Sequence, residues 1–264
     1  MRMSAMNITA LALLGASLTA CGVSAPDDAD AAESSQAITG STCAQFGTIN
    51  QGDYIIQADE WNSTQRQCIS STGFNFQVAT ANFNVTSGAP ATYPSIYKGC
   101  HWGACTPAAT SGMPVQVSAI ATANTSVNFN PSGSGAFDAA YDVWFNTAPT
   151  TAGQPDGTEI MIWVSHGGFP QPFGSRVAQG VNLNGASWDV WIGRMPIWNV
   201  VSYVRNPPAS SANLDLKPFI ADSVSRGQLQ RAWFMIDIEF GFEIWNGGQG
   251  MAVNSFNAAV TRSR

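Results

Sequence analysis

From residue 41 onward, the sequence consists of short runs of alternating apolar and polar residues, separated by Gly, Asn, Ser and Pro. Alternation places successive side chains on opposite faces of a strand, and the separating residues favour turns. We therefore predict strands at residues 52–57, 66–70, 74–80, 94–98, 115–122, 126–130, 137–146, 158–165, 177–182, 185–193, 198–205 and 231–243. Only Leu216 to Leu229 has apolar residues at helical spacing, which predicts one short helix. This pattern indicates an all-β fold, a two-sheet antiparallel β-jelly roll.

Length and charge limit the classes of protein to which the chain can belong. Its 264 residues are enough for one large all-β domain and an export segment. Only 11% of the residues are charged, the formal net charge is −6, and lysine occurs only at Lys98 and Lys217. A protein that follows a phosphate backbone needs a basic surface, so we exclude nucleic acid as a partner.

The N-terminal segment has the features of an export signal. The apolar stretch Ile8 to Ala20 is too short to span a membrane but suits the apolar region of a signal peptide. Residues 18–21 resemble the bacterial lipobox, in which Cys21 is acylated; the alternative is ordinary secretion with cleavage near Ala20. We expect a lipoprotein-type signal peptide at residues 1–21, a flexible tether at 22–38 and one folded domain at 39–264. The protein is thus expected to be exported, either as a cell-surface or outer-membrane lipoprotein or in secreted form.

Apart from Cys21, the sequence contains four cysteines: Cys43, Cys68, Cys100 and Cys105. An even number in an oxidising compartment predicts two disulfides. Of the three possible connectivities, we predict Cys43–Cys68 with Cys100–Cys105, which closes a hairpin-sized loop and a tight one. A metal site is the alternative, but the chain has only two histidines and no CxxC spacing, so we expect no metal and no cofactor.

Ionisable residues inside apolar strand patterns are candidates for chemistry, because burying a carboxylate is costly unless it is paired or hydrogen-bonded. Such residues occur in three predicted strands. In residues 158–165, alternation places Glu159 on one face together with Met161 and Trp163. In a second strand, Asp142 shares its face with a tryptophan and an asparagine.

The third of these strands, within residues 233–245, carries a row of acids. Alternation predicts one face with Asp237, Glu239, Gly241 and Glu243. The opposite face is predicted to be apolar, with Phe234, Ile236, Ile238, Phe240 and Phe242. A solvent-facing sheet would explain a single glutamate, but not acids that cluster with Trp, Met and Asn. Sugar rings combine apolar faces with hydroxyl rims, and cleavage of a glycosidic bond requires two carboxyls.

At these motifs the sequence resembles glycoside hydrolase family 12, the small jelly-roll endo-β-1,4-glucanases and xyloglucanases, over roughly residues 41–262. The motifs are Tyr93–Gly103, Ala140–Trp144, Thr158–Trp163, Gly241–Gly248 and Val253–Phe256. The resemblance implies a concanavalin-like sandwich with a substrate cleft on the concave sheet. It also implies an endo-acting enzyme that hydrolyses β-1,4-glucosidic bonds in cellulose, mixed-linkage β-glucan or xyloglucan.

The resemblance further implies roles for individual residues. Glu159 corresponds to the nucleophile, Glu243 to the general acid/base, and Asp142 to the acid that contacts and tunes the nucleophile. The implied mechanism retains the anomeric configuration, for which the two catalytic carboxyls should lie about 5–5.5 Å apart, against about 6.5–9.5 Å in an inverting enzyme. We expect these acids, with Glu239, to titrate as a coupled group.

Six residues are expected to bind substrate: Asp59, Trp61, His101, Met161, Trp163 and Glu239. Trp61 matches an aromatic platform for a glucose unit on the non-reducing side. Asp59 departs from the family, in which many members have Asn at this position. Trp188, Trp191 and Trp198 either pack within the sheets or line the cleft.

Three other functions compete with this one. A non-catalytic carbohydrate-binding surface lipoprotein would share the sandwich and the tryptophans but would not need opposed carboxylates. A serine hydrolase is disfavoured because no GxSxG motif is present. A jelly-roll xylanase fits the motifs less well. The expected partner is a β-glucan polysaccharide, and the protein is expected to act as a monomer that contacts a membrane only through its N-terminal lipid.

Overall fold

The computed structural model describes residues 40–132 and 135–263. The predicted signal peptide, Cys21 and the tether lie outside the described residues. The strands are β1 (Gly40–Thr42), β2 (Thr48–Gln51), β3 (Tyr54–Gln57), β4 (Cys68–Ser71), β5 (Phe76–Thr80), β6 (Asn82–Asn84), β7 (Ser95–His101), β8 (Ala104–Cys105), β9 (Val115–Gln116), β10 (Ile120–Asn130), β11 (Gly135–Asn146), β12 (Thr158–Gly167), β13 (Ser175–Leu183), β14 (Ala186–Arg194), β15 (Asn199–Asn206), β16 (Ser211–Asp215), β17 (Phe234–Gly248) and β18 (Ala252–Arg262). The helices are α1 (Ala108–Ser111), α2 (Lys217–Ser225) and a 3-10 turn at Val117–Ala119.

The strands form two sheets, which confirms the predicted two-sheet all-β fold. One sheet has six strands in the order β1-β4-β5-β18-β10-β16. The other has twelve, with the path β13-β14-β15-β12-β11-β17-β7-β3-β2 and with β6, β8 and β9 paired to its members. The pairing departs from a purely antiparallel jelly roll at one place, because β12 and β15 run parallel.

The main core lies between the two sheets. Phe129 of β10, in the smaller sheet, packs against Phe240 and Phe242 of β17 with ring centroids 5.0 and 6.1 Å apart. Tyr141 of β11 joins this group at 4.9 Å from Phe240. Burial of these apolar side chains drives the association of the sheets. It also commits one face of β11, β12 and β17 to the core, which leaves their opposite face for other groups.

Part of the alternation predicted for β17 is wrong. The register shifts between Asp237, opposite Trp144, and Met235, opposite Phe145, so Ile236 is an extra residue in the strand. Such a β-bulge reverses the alternation on one side of it. Met235 therefore joins the main core in place of Phe234 and Ile236, while the predicted alternation holds from Asp237 to Glu243.

Several elements differ from the sequence prediction. The described residues contain the four-residue helix α1 besides the predicted helix, and α2 ends at Ser225 rather than at Leu229. The segment 115–130, predicted as two strands, forms β9, the 3-10 turn and the long β10. The strand β18 was not predicted. It contains an extra residue, Asn254, between the pairs Ser255–Asn128 and Val253–Phe129, so its apolar residues do not alternate regularly.

Both predicted disulfides are present. Cys43, just after β1, is bonded to Cys68 at the start of β4, and Cys100 of β7 is bonded to Cys105 of β8. The second bond closes the loop that carries Trp102. Within the described part of the chain, neither helix has the length and apolar character needed to cross a bilayer.

Candidate active site

The candidate acids lie on three adjacent strands in the middle of the larger sheet, β12, β11 and β17. Residues opposite each other on neighbouring strands share a face. Asp142 of β11 is opposite Glu239 of β17, and Trp144 of β11 is opposite Glu159 of β12. We call the face of these strands that points away from the main core the acidic face; its acids are Asp138, Asp142, Glu159, Asp237, Glu239 and Glu243.

Exposure separates these acids into two groups. Asp138, Asp237 and Glu239 have no exposed surface, and Asp142 is 6% exposed. Glu159 and Glu243 are partly exposed. Glu159 and Glu243 are therefore the most exposed acids of β11, β12 and β17.

Glu159 has a dedicated hydrogen-bond donor. The indole Nε1 of Trp198 donates to Oε2 of Glu159 over 2.8 Å. Burial raises the pKa of Glu159 to about 8, the Trp198 hydrogen bond opposes this rise, and the charges of Glu243 and Glu239 add to it. The indole donor thus favours the ionised form of Glu159, which is the form that can act as a nucleophile.

A row of aromatic side chains begins beside Glu159. The Trp198 ring lies 5.9 Å from that of Trp144, which in turn lies 5.0 Å from that of Trp102. Trp102 also contacts the His101 ring at 4.4 Å and is 42% exposed. Flat apolar surfaces of this kind are suited to the faces of sugar rings.

Glu239 lies at the centre of a hydrogen-bond network. Its Oε2 accepts a hydrogen bond from the Ser95 hydroxyl at 3.0 Å, and its Oε1 lies 2.8 Å from Nδ1 of His101. Gly241 permits the approach of Ser95, because a Cβ at this glycine would lie 2.4 Å from the Pro94 carbonyl. Two donors therefore hold the Glu239 carboxyl in one orientation.

His101 connects this network to Asp59. Its Nε2 lies 3.9 Å from Oδ2 of Asp59, on the side opposite Glu239. Burial lowers the pKa of His101, but the charges of Glu239, Asp59 and Glu159 outweigh this and the pKa is raised. Burial raises the pKa of Asp59 to about 6, against the opposing charge of His101. His101 and Asp59, both expected at the substrate-binding part of the cleft, are thus in contact with the acidic face.

A group of potential metal ligands occurs within the same network. Atoms of His101, Asp237 and Glu239 lie within 4.8 Å of one another. The hydrogen bond between His101 and Glu239 accounts for two of them. Burial, reinforced by the charge of Glu239, raises the pKa of Asp237 well above its usual range, which favours a neutral carboxyl. The expectation of a metal-free site stays a prediction.

Asp142 is a buried acid among other acids. Burial raises its pKa well above the usual range, and the charges of Glu159, Glu239 and Glu243 raise it further. A carboxyl in such surroundings holds its proton and can donate it in a hydrogen bond. This is consistent with the tuning role expected for Asp142, although its Oδ1 has no hydrogen-bond partner among the described residues.

Asp138 was not among the residues predicted from the sequence. It has no exposed surface and lies directly opposite Glu243 on the neighbouring strand, and burial and the charge of Glu243 raise its pKa well above the usual range. The signal for it was present, because Asp138 lies four residues before Asp142 and alternation places both on one face. The role of Trp198 could not have been found in this way, since it lies at a turn just before β15.

The remaining predicted residues are placed as follows. Met161 and Trp163 form a small apolar cluster with Ala140 and Val200, separate from the main core. Trp61 lies in the loop after β3 and is 46% exposed. Its part in substrate binding stays a prediction.

The other tryptophans left open by the sequence have different surroundings. Trp188 is fully buried in the main core, where its ring lies 5.1 Å from that of Phe219. It therefore packs between elements and does not line a cleft. Trp191 is partly buried, and the guanidinium carbon of Arg176 lies 5.9 Å from the centroid of its indole ring.

Comparisons with known proteins identify a family that the chain matches. The sequence profile of Glycosyl hydrolase family 12 matches residues 52–261. A probable cellulase, Cel12b, from Mycobacterium tuberculosis is 33% identical over 150 residues, which cover 57% of this chain and 98% of that protein. A probable xyloglucan-specific endo-beta-1,4-glucanase A from Aspergillus fumigatus is 25% identical over 240 residues, covering 87% and 95%.

The fold is similar to solved structures as well. Endoglucanase cel12A from Rhodothermus marinus aligns with a TM-score of 0.81 and 36% identity. The alignment covers 85% of this chain and 100% of that protein. The profile match spans most of the chain and includes strands β3 to β17 with both Glu159 and Glu243. The chain therefore belongs to glycosyl hydrolase family 12.

Proposed function

We propose that this protein is a retaining endo-β-1,4-glucanase in which Glu159 is the nucleophile and Glu243 the general acid/base. The observation that carries the proposal is the selective exposure of these two carboxyls on a face whose other acids are buried. Membership of family 12 and the names of its relatives, a probable cellulase and endoglucanases, support the substrate class.

In the proposed mechanism, Glu159 attacks the anomeric carbon while Glu243 protonates the departing glycosidic oxygen. A covalent glycosyl-enzyme results. Glu243, now ionised, then takes a proton from water, which attacks the same carbon and releases the sugar with its configuration retained. The first step requires Glu159 ionised and Glu243 protonated. Because the two carboxyls interact, the pH profile reports apparent pKa values of the pair.

The proposed substrate is a β-1,4-linked glucan held by Trp102 and Trp198, the members of the aromatic row that are not buried. A second candidate is a xyloglucan-specific enzyme, which is supported by the likeness to the xyloglucan-specific Aspergillus protein over 87% of the chain. Rates on cellulose, mixed-linkage β-glucan, xyloglucan and xylan would separate the two. A general endoglucanase hydrolyses the unbranched glucans at least as fast as xyloglucan, and a specific one hydrolyses xyloglucan alone.

The catalytic proposal is tested with Glu159→Gln and Glu243→Gln, measured as reducing-sugar release. Both variants should lose hydrolysis by about 10³-fold or more while still binding oligosaccharide in calorimetry. Asp53→Asn, at a partly exposed acid in the β2–β3 turn, is the matched control and should keep full activity. Unchanged hydrolysis in Glu159→Gln would refute the site. Binding without hydrolysis by the wild type would favour the carbohydrate-binding alternative.

We also propose that the protein is exported, acylated at Cys21 and active as a monomer. Export and acylation are supported by the sequence of residues 8–21. Metabolic labelling with palmitate should mark the wild type but not Cys21→Ser, and the variant should move from the membrane fraction to the soluble fraction. Equal labelling of both proteins would exclude Cys21 as the acylated residue. Light scattering of the folded domain should give a mass near that of a single chain.

A further inference from the structure

Asp138 has surroundings that a carboxylate does not tolerate. It has no exposed surface, and neither of its oxygens accepts a well-aligned hydrogen bond from the described residues. Its polar neighbours are the carboxyl and the backbone amide of Glu243. A buried ionised carboxyl without donors is costly, so Asp138 is expected to be protonated.

We propose that Asp138 is a positioning residue for the general acid: its protonated carboxyl donates a hydrogen bond to Glu243, orients it and favours its ionised form. This inference rests on the role of Glu243 in the proposed function. It adds a hydrogen bond that controls how readily Glu243 gives up its proton in the first step. The same bond orients the Glu243 carboxylate as the general base in the second step.

The register of the sheet supports the contact. Asp138 and Glu243 are opposite each other on the antiparallel strands β11 and β17. Opposite residues have Cβ atoms about 4.5–5.5 Å apart, which two short acidic side chains can span. Two carboxyls can form a hydrogen bond only when one of them carries a proton.

The two environments decide where that proton resides. Burial raises the pKa of Asp138 well above its usual range, and the charge of Glu243 raises it further. Burial also raises the pKa of Glu243, but the hydrogen bond from Asp138 opposes this. Glu243 is partly exposed and Asp138 is not, so Glu243 ionises first and Asp138 keeps the shared proton.

The other titratable groups near the pair do not offer a better donor. Asp142 of β11, Glu159 of β12 and Glu239 of β17 are acids whose charges favour protonation of their neighbours. The Tyr93 hydroxyl donates to the Ala140 carbonyl at 3.0 Å and burial raises its pKa far above its usual value. His166, opposite Asp138 on β12, is exposed, and partial burial lowers its pKa.

The test measures the titration of Glu243 directly. The full chain has only five glutamates, so ¹³C labelling of glutamate carboxyls gives few NMR signals. The measurement is made in the Glu159→Gln background, which removes the coupling between the catalytic pair, and the Glu243 signal is identified by its loss in Glu243→Gln. Asp138→Ala should raise the apparent pKa of Glu243 by about one unit, because a hydrogen bond to the ionised form is lost. Asp138→Asn retains a weaker amide donor and should raise it less.

Asp156→Asn, an exposed acid that caps Thr147, is the control and should leave the Glu243 titration unchanged. If Asp138→Ala does not fold, the isosteric Asn variant gives the same test with a smaller upward shift. An unchanged or lowered pKa of Glu243 in the variants would overturn the proposal. The NMR titration does not depend on hydrolysis. If the wild type cleaves no glucan but the Asp138 variants raise the pKa of Glu243, the proposed function is overturned. The Asp138–Glu243 contact is then still supported.

Discussion

Replacement of Trp198 by phenylalanine tests how the fold maintains an ionised nucleophile. The indole Nε1 donates to Glu159 over 2.8 Å. Phenylalanine keeps an aromatic ring beside Trp144 but has no donor. Because the lost hydrogen bond favours the ionised carboxylate, its removal must raise the pKa of Glu159.

The size of the effect follows from the strength of such a bond. A hydrogen bond to a charged group contributes about 1.5–3 kcal/mol, and one pKa unit corresponds to about 1.4 kcal/mol. Both side chains are partly exposed, so solvent screens the interaction and we take the lower end of this range. The pKa of Glu159 should rise by about one unit, and the rate of nucleophilic attack well below that pKa should fall by about tenfold.

The assay isolates the first chemical step. In a Glu243→Gln background, a dinitrophenyl cellobioside releases its leaving group without protonation, so the pH dependence of the dinitrophenolate burst reports ionisation of the nucleophile without titration of the general acid. Removal of the Glu243 charge lowers the starting pKa of Glu159 below that of the wild type. The burst profile of the Trp198→Phe protein should be displaced upward by about one pH unit, with the plateau rate at high pH largely retained.

Trp245→Phe is the matched control, because it removes an indole hydrogen bond of 2.7 Å to the Gly88 carbonyl and none to a catalytic carboxyl. Its burst profile should coincide with that of the parent protein. The reasoning is refuted if Trp198→Phe leaves the profile in place, or if the control displaces it equally.

Three further predictions concern other parts of the structure. Asp142→Asn should lose less than about tenfold in kcat/KM near neutral pH, because the raised pKa of Asp142 makes the wild-type side chain a neutral donor that the amide imitates. Asp142→Ala should lose more. Equal losses in the two variants would contradict a donor role for Asp142. Replacing Cys43 and Cys68 together by serine should lower the free energy of unfolding by about 3 kcal/mol in urea titrations, since the disulfide closes a loop with a sequence separation of 25. An unchanged urea midpoint would show that the disulfide does not restrict the unfolded chain. Dialysis against a chelator should leave hydrolysis unchanged, because hydrogen bonding already occupies His101 and Glu239; activity restored only by added divalent ions would contradict this.

Where the strands are regular, the sequence was sufficient to predict which side chains share a face. Alternation in residues 158–165 and 237–243 predicted which side chains share the face of Glu159 and Glu243, and the register of β11, β12 and β17 agrees. It failed where a strand contains an extra residue. The bulges at Ile236 in β17 and Asn254 in β18 each reverse the alternation, and the residue type at these positions does not predict a bulge.

The site itself was only partly predictable. Asp138 follows from the same alternation that identified Asp142, and it was missed because it lies near the start of its strand. Trp198 is different. It reaches Glu159 because β15 runs parallel to β12, a long-range pairing that local sequence patterns do not specify. The burial that distinguishes Glu239 and Asp237 from Glu243 likewise depends on the strands packed beside β17.

The most direct test of the assigned roles is to trap the glycosyl-enzyme. A 2-deoxy-2-fluoro cellobioside with a good leaving group slows hydrolysis of the covalent intermediate, and peptide mapping by mass spectrometry locates the attached sugar. We predict that the sugar is attached to Glu159, and that no adduct forms in Glu159→Gln. Attachment to another residue, or turnover to an inverted product with no adduct at all, would contradict the assignment.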